Sequence, residues 1–284
     1  MNKLRFYLNK KLDKRMAEQF LDVRGGGIDF GEGIIKTHPQ LRSIKSLKEI
    51  AQREKVIRVY FDNYYQIHRT AMLRKLKRVQ DAWHKKEQKY IAITEDFFGG
   101  FRFPKWKYIA YISIINCNPR FLESKTFQFF YKKPLADAVY TVAHELLHFI
   151  FFDFIEKKLK KETISLSENK LWDISEIFNV VVLKSPRYRH IVNQKFVIPY
   201  PDHQRYIRQF EKAYKNSQNA EEFIRRGISI ISAKNGGVQG EECRVVFAQR
   251  IFKNRGVSFN CYRFGKISWF VHVKSTFGSD VISE

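Results

Sequence analysis

From Leu135 to Ile155 the chain is apolar on nearly every side of a helix, and inside that run stands Val142-Ala143-His144-Glu145-Leu146-Leu147-His148-Phe149. A helix that is hydrophobic all round has to be buried on most sides, so the rest of the fold must wrap this segment. Two imidazoles and a carboxylate are costly in such surroundings unless one partner satisfies them together. Residues four apart lie one above the other on a helix face, which lets His144 and His148 meet a single tetrahedral metal ion. Glu145 lies one step round the helix. There a carboxylate can take a proton from water beside the metal's open position.

An open position for water requires a third protein ligand. The metzincin pattern would place Gly and His three and six residues after the second His, but Phe151 and Phe154 stand there. Glu176 is the next candidate, in the apolar stretch Leu171-Trp172-Asp173-Ile174-Ser175-Glu176-Ile177-Phe178-Asn179-Val180-Val181-Val182. Helical spacing puts Trp172, Asp173, Glu176 and Asn179 on neighbouring positions of one face. The polar connection Lys157 to Lys170 is long enough to fold this helix back on the first.

With HExxH and a later Glu in an apolar helix, the stretch from about Tyr108 to Leu183 resembles the gluzincins, the thermolysin-like zinc peptidases. It is most similar to their minimal members, the minigluzincins. The resemblance implies Zn2+ held by His144, His148 and Glu176, with Glu145 as the general base of peptide-bond hydrolysis. Many gluzincins carry an Asp four residues after the ligand Glu, and Val180 takes that place here. A ligating imidazole usually donates its other N–H to a partner, so Asp173 or Asn179 is expected to supply one.

Upstream, Tyr108 to Ile115 is a nearly continuous apolar run and Thr126 to Tyr131 a second β-rich one, separated by the turn-like Asn116-Cys117-Asn118-Pro119-Arg120. Pro134 marks the start of the metal helix. The resemblance implies an edge strand that binds extended peptide by β-augmentation; Thr126 to Tyr131 is the candidate, with a plain core strand as the alternative. Tyr188, His190 and His203 are downstream candidates to stabilise an oxyanion.

The formal net charge is +23. Cations are dense between Arg53 and Lys89, where Phe61, Tyr64, Met72, Leu76, Val79 and Trp83 recur at helical spacing, so this segment reads as a long amphipathic helix with a core-facing stripe. Ser46-Leu47-Lys48-Glu49 resembles a capping box at its start. Such a basic face favours nucleic acid or another polyanion without implying sequence specificity. The glycine-rich Arg24 to Gly33 lacks the Lys-Ser/Thr of a phosphate loop and reads as a turn or hairpin.

The start of the chain has charges but no apolar leader, and no apolar segment is long enough to cross a bilayer. Cys117, Cys243 and Cys261 form no CxxC pair, which fits a reducing cytoplasm. The expected fold is α+β: a small, mostly antiparallel sheet packed on the HExxH helix and the Glu176 helix in a zincin-like arrangement, with a basic N-terminal helical region. Residues 1–45 are expected as an N-terminal extension, 46–234 as the metallopeptidase domain, and 235–284 as a tail or small β appendage. The expected function is zinc-dependent hydrolysis of a peptide or protein. The alternatives are a nucleic-acid-associated peptidase and a non-enzymatic basic binding protein with structural zinc or none.

Overall fold

In a computed structural model, which describes residues 3–192 and 197–233, the apolar runs become helices around a small sheet. In chain order the strands are β1 (Arg5–Leu8), β2 (Arg24–Gly25), β3 (Ile28–Asp29), β4 (Ile109–Ser113), β5 (Arg120–Phe121) and β6 (Thr126–Phe130). The helices are α1 (Lys10–Phe20), α2 (Phe30–Thr37), α3 (Ile50–His84), α4 (Glu87–Phe97), α5 (Leu135–Lys158), α6 (Lys160–Thr163), α7 (Glu168–Lys184), α8 (Pro186–Arg189), α9 (Gln204–Lys215) and α10 (Ala220–Ser232). Mixed helix and sheet is the expected α+β class.

The sheet corrects two expectations. Its order is β1-β4-β6-β5, and both β1 with β4 and β4 with β6 run parallel; only the short β5 is antiparallel to β6. The expected sheet is mostly antiparallel. Instead, the connection from Ile114 to Lys125 is long enough to carry the chain back beside β4 and let β6 start in the same direction. The second correction concerns Thr126 to Tyr131. β6 is not an edge strand, because β4 covers one side and β5 pairs Arg120 with Phe127 and Phe121 with Thr126 on the other.

The expected N-terminal extension, residues 1–45, is instead part of the core over its described residues, 3–45. Leu4 and Phe6 are buried, β1 lies beside β4, and α1 packs on α3 with Leu12, Met16 and Ala17 inside. Arg24 to Asp29 form the expected hairpin, β2–β3, whose tip Gly26-Gly27 has φ of +60° and +80°, the left-handed region open to glycine, while Phe30 to Gly33 already open α2. The long basic helix is α3, whose stripe Ile57, Phe61, Tyr65, Met72, Val79 and Trp83 is buried. It starts without the capping box: Glu49 makes no side-chain cap, and Ser46 Oγ donates to the Ser43 carbonyl at 2.7 Å.

The HExxH helix is α5, packed between β6, α3 and α7. Phe149 meets Tyr108 and Phe127 of the sheet side, while Phe151 meets Phe178 of α7. By length and composition alone α5 could cross a membrane, contrary to expectation, since His148 and Asp153 dilute its apolar character too little to disqualify it. Its most apolar window is 78% buried within the protein, the pattern of a core helix. Cys117 is free and buried. Cys243, Cys261 and the segment 235–284 lie outside the described residues.

Candidate metal centre

One turn of α5 brings the two histidines into register. His144 Nε2 and His148 Nε2 are 3.0 Å apart. The helix α7 is started by Ser167, whose side chain accepts from Lys170 N, and it presents Glu176 to the same point. Glu176 Oε2 lies 3.1 Å from His144 Nε2 and Oε1 lies 3.3 Å from His148 Nε2. Ligands at about 2.0–2.2 Å around a tetrahedral ion are roughly 3.3–3.6 Å from one another. The two imidazole nitrogens and the Glu176 carboxylate, which meets each of them through a different oxygen, are spaced close to such edges, and among the described residues His144, His148 and Glu176 form the His/Asp/Glu/Cys group able to hold a metal.

The electrostatics suit a cation. Burial, then the Arg120 guanidinium, push His148 well below the ordinary histidine range, leaving the neutral imidazole that metals bind. Burial alone would raise the Glu176 carboxyl, but Arg120 and His148 outweigh it and hold it well below the usual carboxylate range. Glu145, also buried, is different. Desolvation pushes its pKa up to about 7, partly offset by His144 and Arg120, and its Oε2 has no hydrogen-bond partner in the protein. A carboxylate with a pKa near neutrality and a free lone pair is suited to accept a proton from a water.

Neither expected imidazole partner takes that part. Asn179 Nδ2 donates to the His144 carbonyl at 3.0 Å, not to its ring. Asp173 Oδ1 is 2.8 Å from His203 Nε2. The Nδ1 atoms of His144 and His148 are buried with no protein hydrogen-bond partner. Asn179 does hold the backbone of the HExxH turn, since the carbonyls inside a helix remain good acceptors for a facing side chain. Of the downstream candidates, Tyr188 donates to Thr94 Oγ1 at 3.0 Å, His190 is exposed, and His203 is tied to Asp173 and packed on Trp172.

Three residues at the centre went unread in the sequence. Arg120 of β5 donates from Nη1 to Glu176 Oε1 at 2.7 Å and stands 3.9 Å from Glu145 Oε2. Tyr140 lies one turn before His144, with ring centroids 5.9 Å apart and a buried hydroxyl that finds no partner. Burial, then Glu176 and Glu145, push its pKa up. Tyr200 is raised in the same way, by burial first and Glu176 next. Tyr140 had a signal, the four-residue spacing to His144. Arg120 and Tyr200 had none, being brought in by tertiary folding from a turn and a loop.

The buried cluster is local evidence of a metal site. Comparison of the chain with protein-family models, curated proteins and solved structures finds no match.

Proposed function

We propose that the protein is a zinc-dependent peptidase, with His144, His148 and Glu176 as ligands and Glu145 as general base. The observation that carries this reading is the convergence of ligand atoms from three residues of α5 and α7 beside a carboxylate, Glu145, whose Oε2 accepts no hydrogen bond. Two imidazoles and a carboxylate suit zinc, and three protein ligands rather than four match the catalytic pattern, which keeps a position for substrate. That count, made among the described residues, favours an enzyme over a structural zinc site.

Zinc held there supplies Lewis acidity toward the scissile carbonyl and makes a water more acidic. The chain's own residues do the rest. Glu145 takes the proton of the attacking water and delivers it to the leaving amine, a shuttle favoured by its raised pKa. Asn179 steadies the His144 turn through the backbone carbonyl. Burial of α5 and α7 keeps bulk water away from the base and the ligands.

The test separates binding from chemistry. Wild type should contain zinc by elemental mass spectrometry and cleave members of a peptide library. Glu145→Gln should keep the zinc and lose turnover by a factor of roughly 100 to 10,000, as expected for a lost general base. Glu176→Ala should lose both. Absence of metal from wild type, or equal turnover by Glu145→Gln, would refute the proposal.

A further inference from the structure

We infer that Arg120 is a positioning residue of the metal centre: its guanidinium takes one oxygen of Glu176, so that the carboxylate offers the metal the other. This deepens the zinc-site reading and rests on it. The two Glu176 oxygens differ in their partners. Oε1 accepts from Arg120 Nη1 at 2.7 Å and also lies 3.3 Å from His148 Nε2, whereas Oε2 has no arginine contact and faces His144 Nε2 at 3.1 Å. A carboxylate free of such a partner can turn about its last torsion and bind a metal through both oxygens, which raises a water-bearing site from four- to five-coordinate and crowds the position that substrate needs. An Arg on one oxygen blocks that turn and preserves the open position.

Arg120 is itself held for the task. It lies on β5, whose pairing with Phe127 of β6 fixes its backbone, and the carbonyl of the preceding Pro119 accepts from Gln128 N at 2.8 Å. Just before it, Asn118 adopts φ +46°, a left-handed turn that Asn tolerates, and its side chain accepts from Phe130 N at 3.2 Å. The guanidinium also sits over the Phe152 ring, 6.0 Å from its centroid, and the His148 ring stacks on the same phenyl ring. One side chain thus touches the carboxylate ligand directly and a histidine ligand through one intervening ring. With only 14% of its side chain exposed, it has little freedom to leave.

The binding of a partner to a ligating carboxylate commonly changes metal affinity about 10- to 100-fold. Full-length wild type, Arg120→Gln and Arg120→Lys should be titrated with zinc against a chromophoric chelator, and each loaded with cobalt(II), whose visible absorption weakens as coordination rises from four to five. We expect zinc affinity to fall about 10- to 100-fold in Arg120→Gln, with weaker cobalt absorption per ion. Arg120→Lys keeps the charge but not the planar fork, and should fall between the two. If wild type binds no metal, the zinc reading itself fails and this proposal with it. If wild type binds zinc and Arg120→Gln matches it in affinity and in cobalt spectrum, this proposal alone is overturned. Should Arg120→Gln not fold, a Lys variant indistinguishable from wild type in both readouts overturns it equally.

Discussion

Asp13 gives the sharpest quantitative expectation away from the candidate metal centre. Its side chain is fully buried where α1 meets the sheet, and four donors converge on it: Ser113 Oγ, Gln128 Nε2 and Tyr65 Oη, each at 2.6 Å, and Ile114 N at 3.0 Å. None of the four is a cation. Desolvation therefore dominates the hydrogen bonds, and its pKa rises from 3.8 to about 6. The folded state binds a proton more tightly than the unfolded chain, so stability falls as pH rises between these two values. The gap of about 2.2 corresponds to about 3 kcal/mol at 1.36 kcal/mol per tenfold change. This stability is present in full below about pH 4 and is lost as pH passes about 6. Asp13→Asn removes the titration and keeps the shape. Its oxygen can still serve the Ile114 N–H, while the hydroxyls and the Gln128 amide can reverse their donor sense. Urea unfolding of both proteins from pH 4 to 7.5 should show the variant gaining on wild type by about 2 to 3 kcal/mol across the range, because contributions from other carboxylates cancel in the difference. Parallel pH profiles, or a gap that widens toward acid, would refute the reasoning.

Two more expectations concern packing and partners. A Cβ on Gly31 would lie 1.9 Å from the Leu21 carbonyl oxygen, so Gly31→Ala should destabilise by at least about 1–3 kcal/mol in urea unfolding, whereas Gly33→Ala, with open space around it, should be neutral or slightly stabilising. The exposed cations of α3, including Lys55, Arg58, Arg69, Arg74, Lys77 and Arg78, should bind duplex DNA at low salt, and Arg74→Glu with Arg78→Glu should flatten the salt dependence by about 0.9 in slope for each phosphate left without its cation. Fluorescence anisotropy that detects no binding at low salt would exclude the polyanion reading.

Local chemistry was legible where periodicity and burial agree. The 3.6-residue repeat of α3 and the all-round apolarity of α5 each describe one helix's own faces, and the spacing of His144 and His148 is a property of a single turn. Glu176 was legible for a related reason. A carboxylate flanked by Ile174, Ile177 and Phe178 has no comfortable place in solvent, so it must meet a partner inside. The partner of His203 and the direction of β6 were not legible, because each depends on a segment distant in sequence. The same holds for Tyr200, which no spacing connects to Glu176.

By itself, then, the sequence determined which helix must be buried, which of its residues could hold a metal, and which carboxylate could complete the set, since these follow from residue type and helical period. Tertiary structure decided that β1 and β6 flank β4 in parallel, that residues 3–45 belong to the core, and that Asp13 is enclosed by α1, α3 and the sheet. It also set Arg120 against Glu176, Asn179 against the His144 carbonyl and Asp173 against His203. The physical reason is that periodicity reports a residue's face on its own element, whereas a side chain's partner across the core is chosen by chain path and packing, to which residues far apart in sequence contribute together.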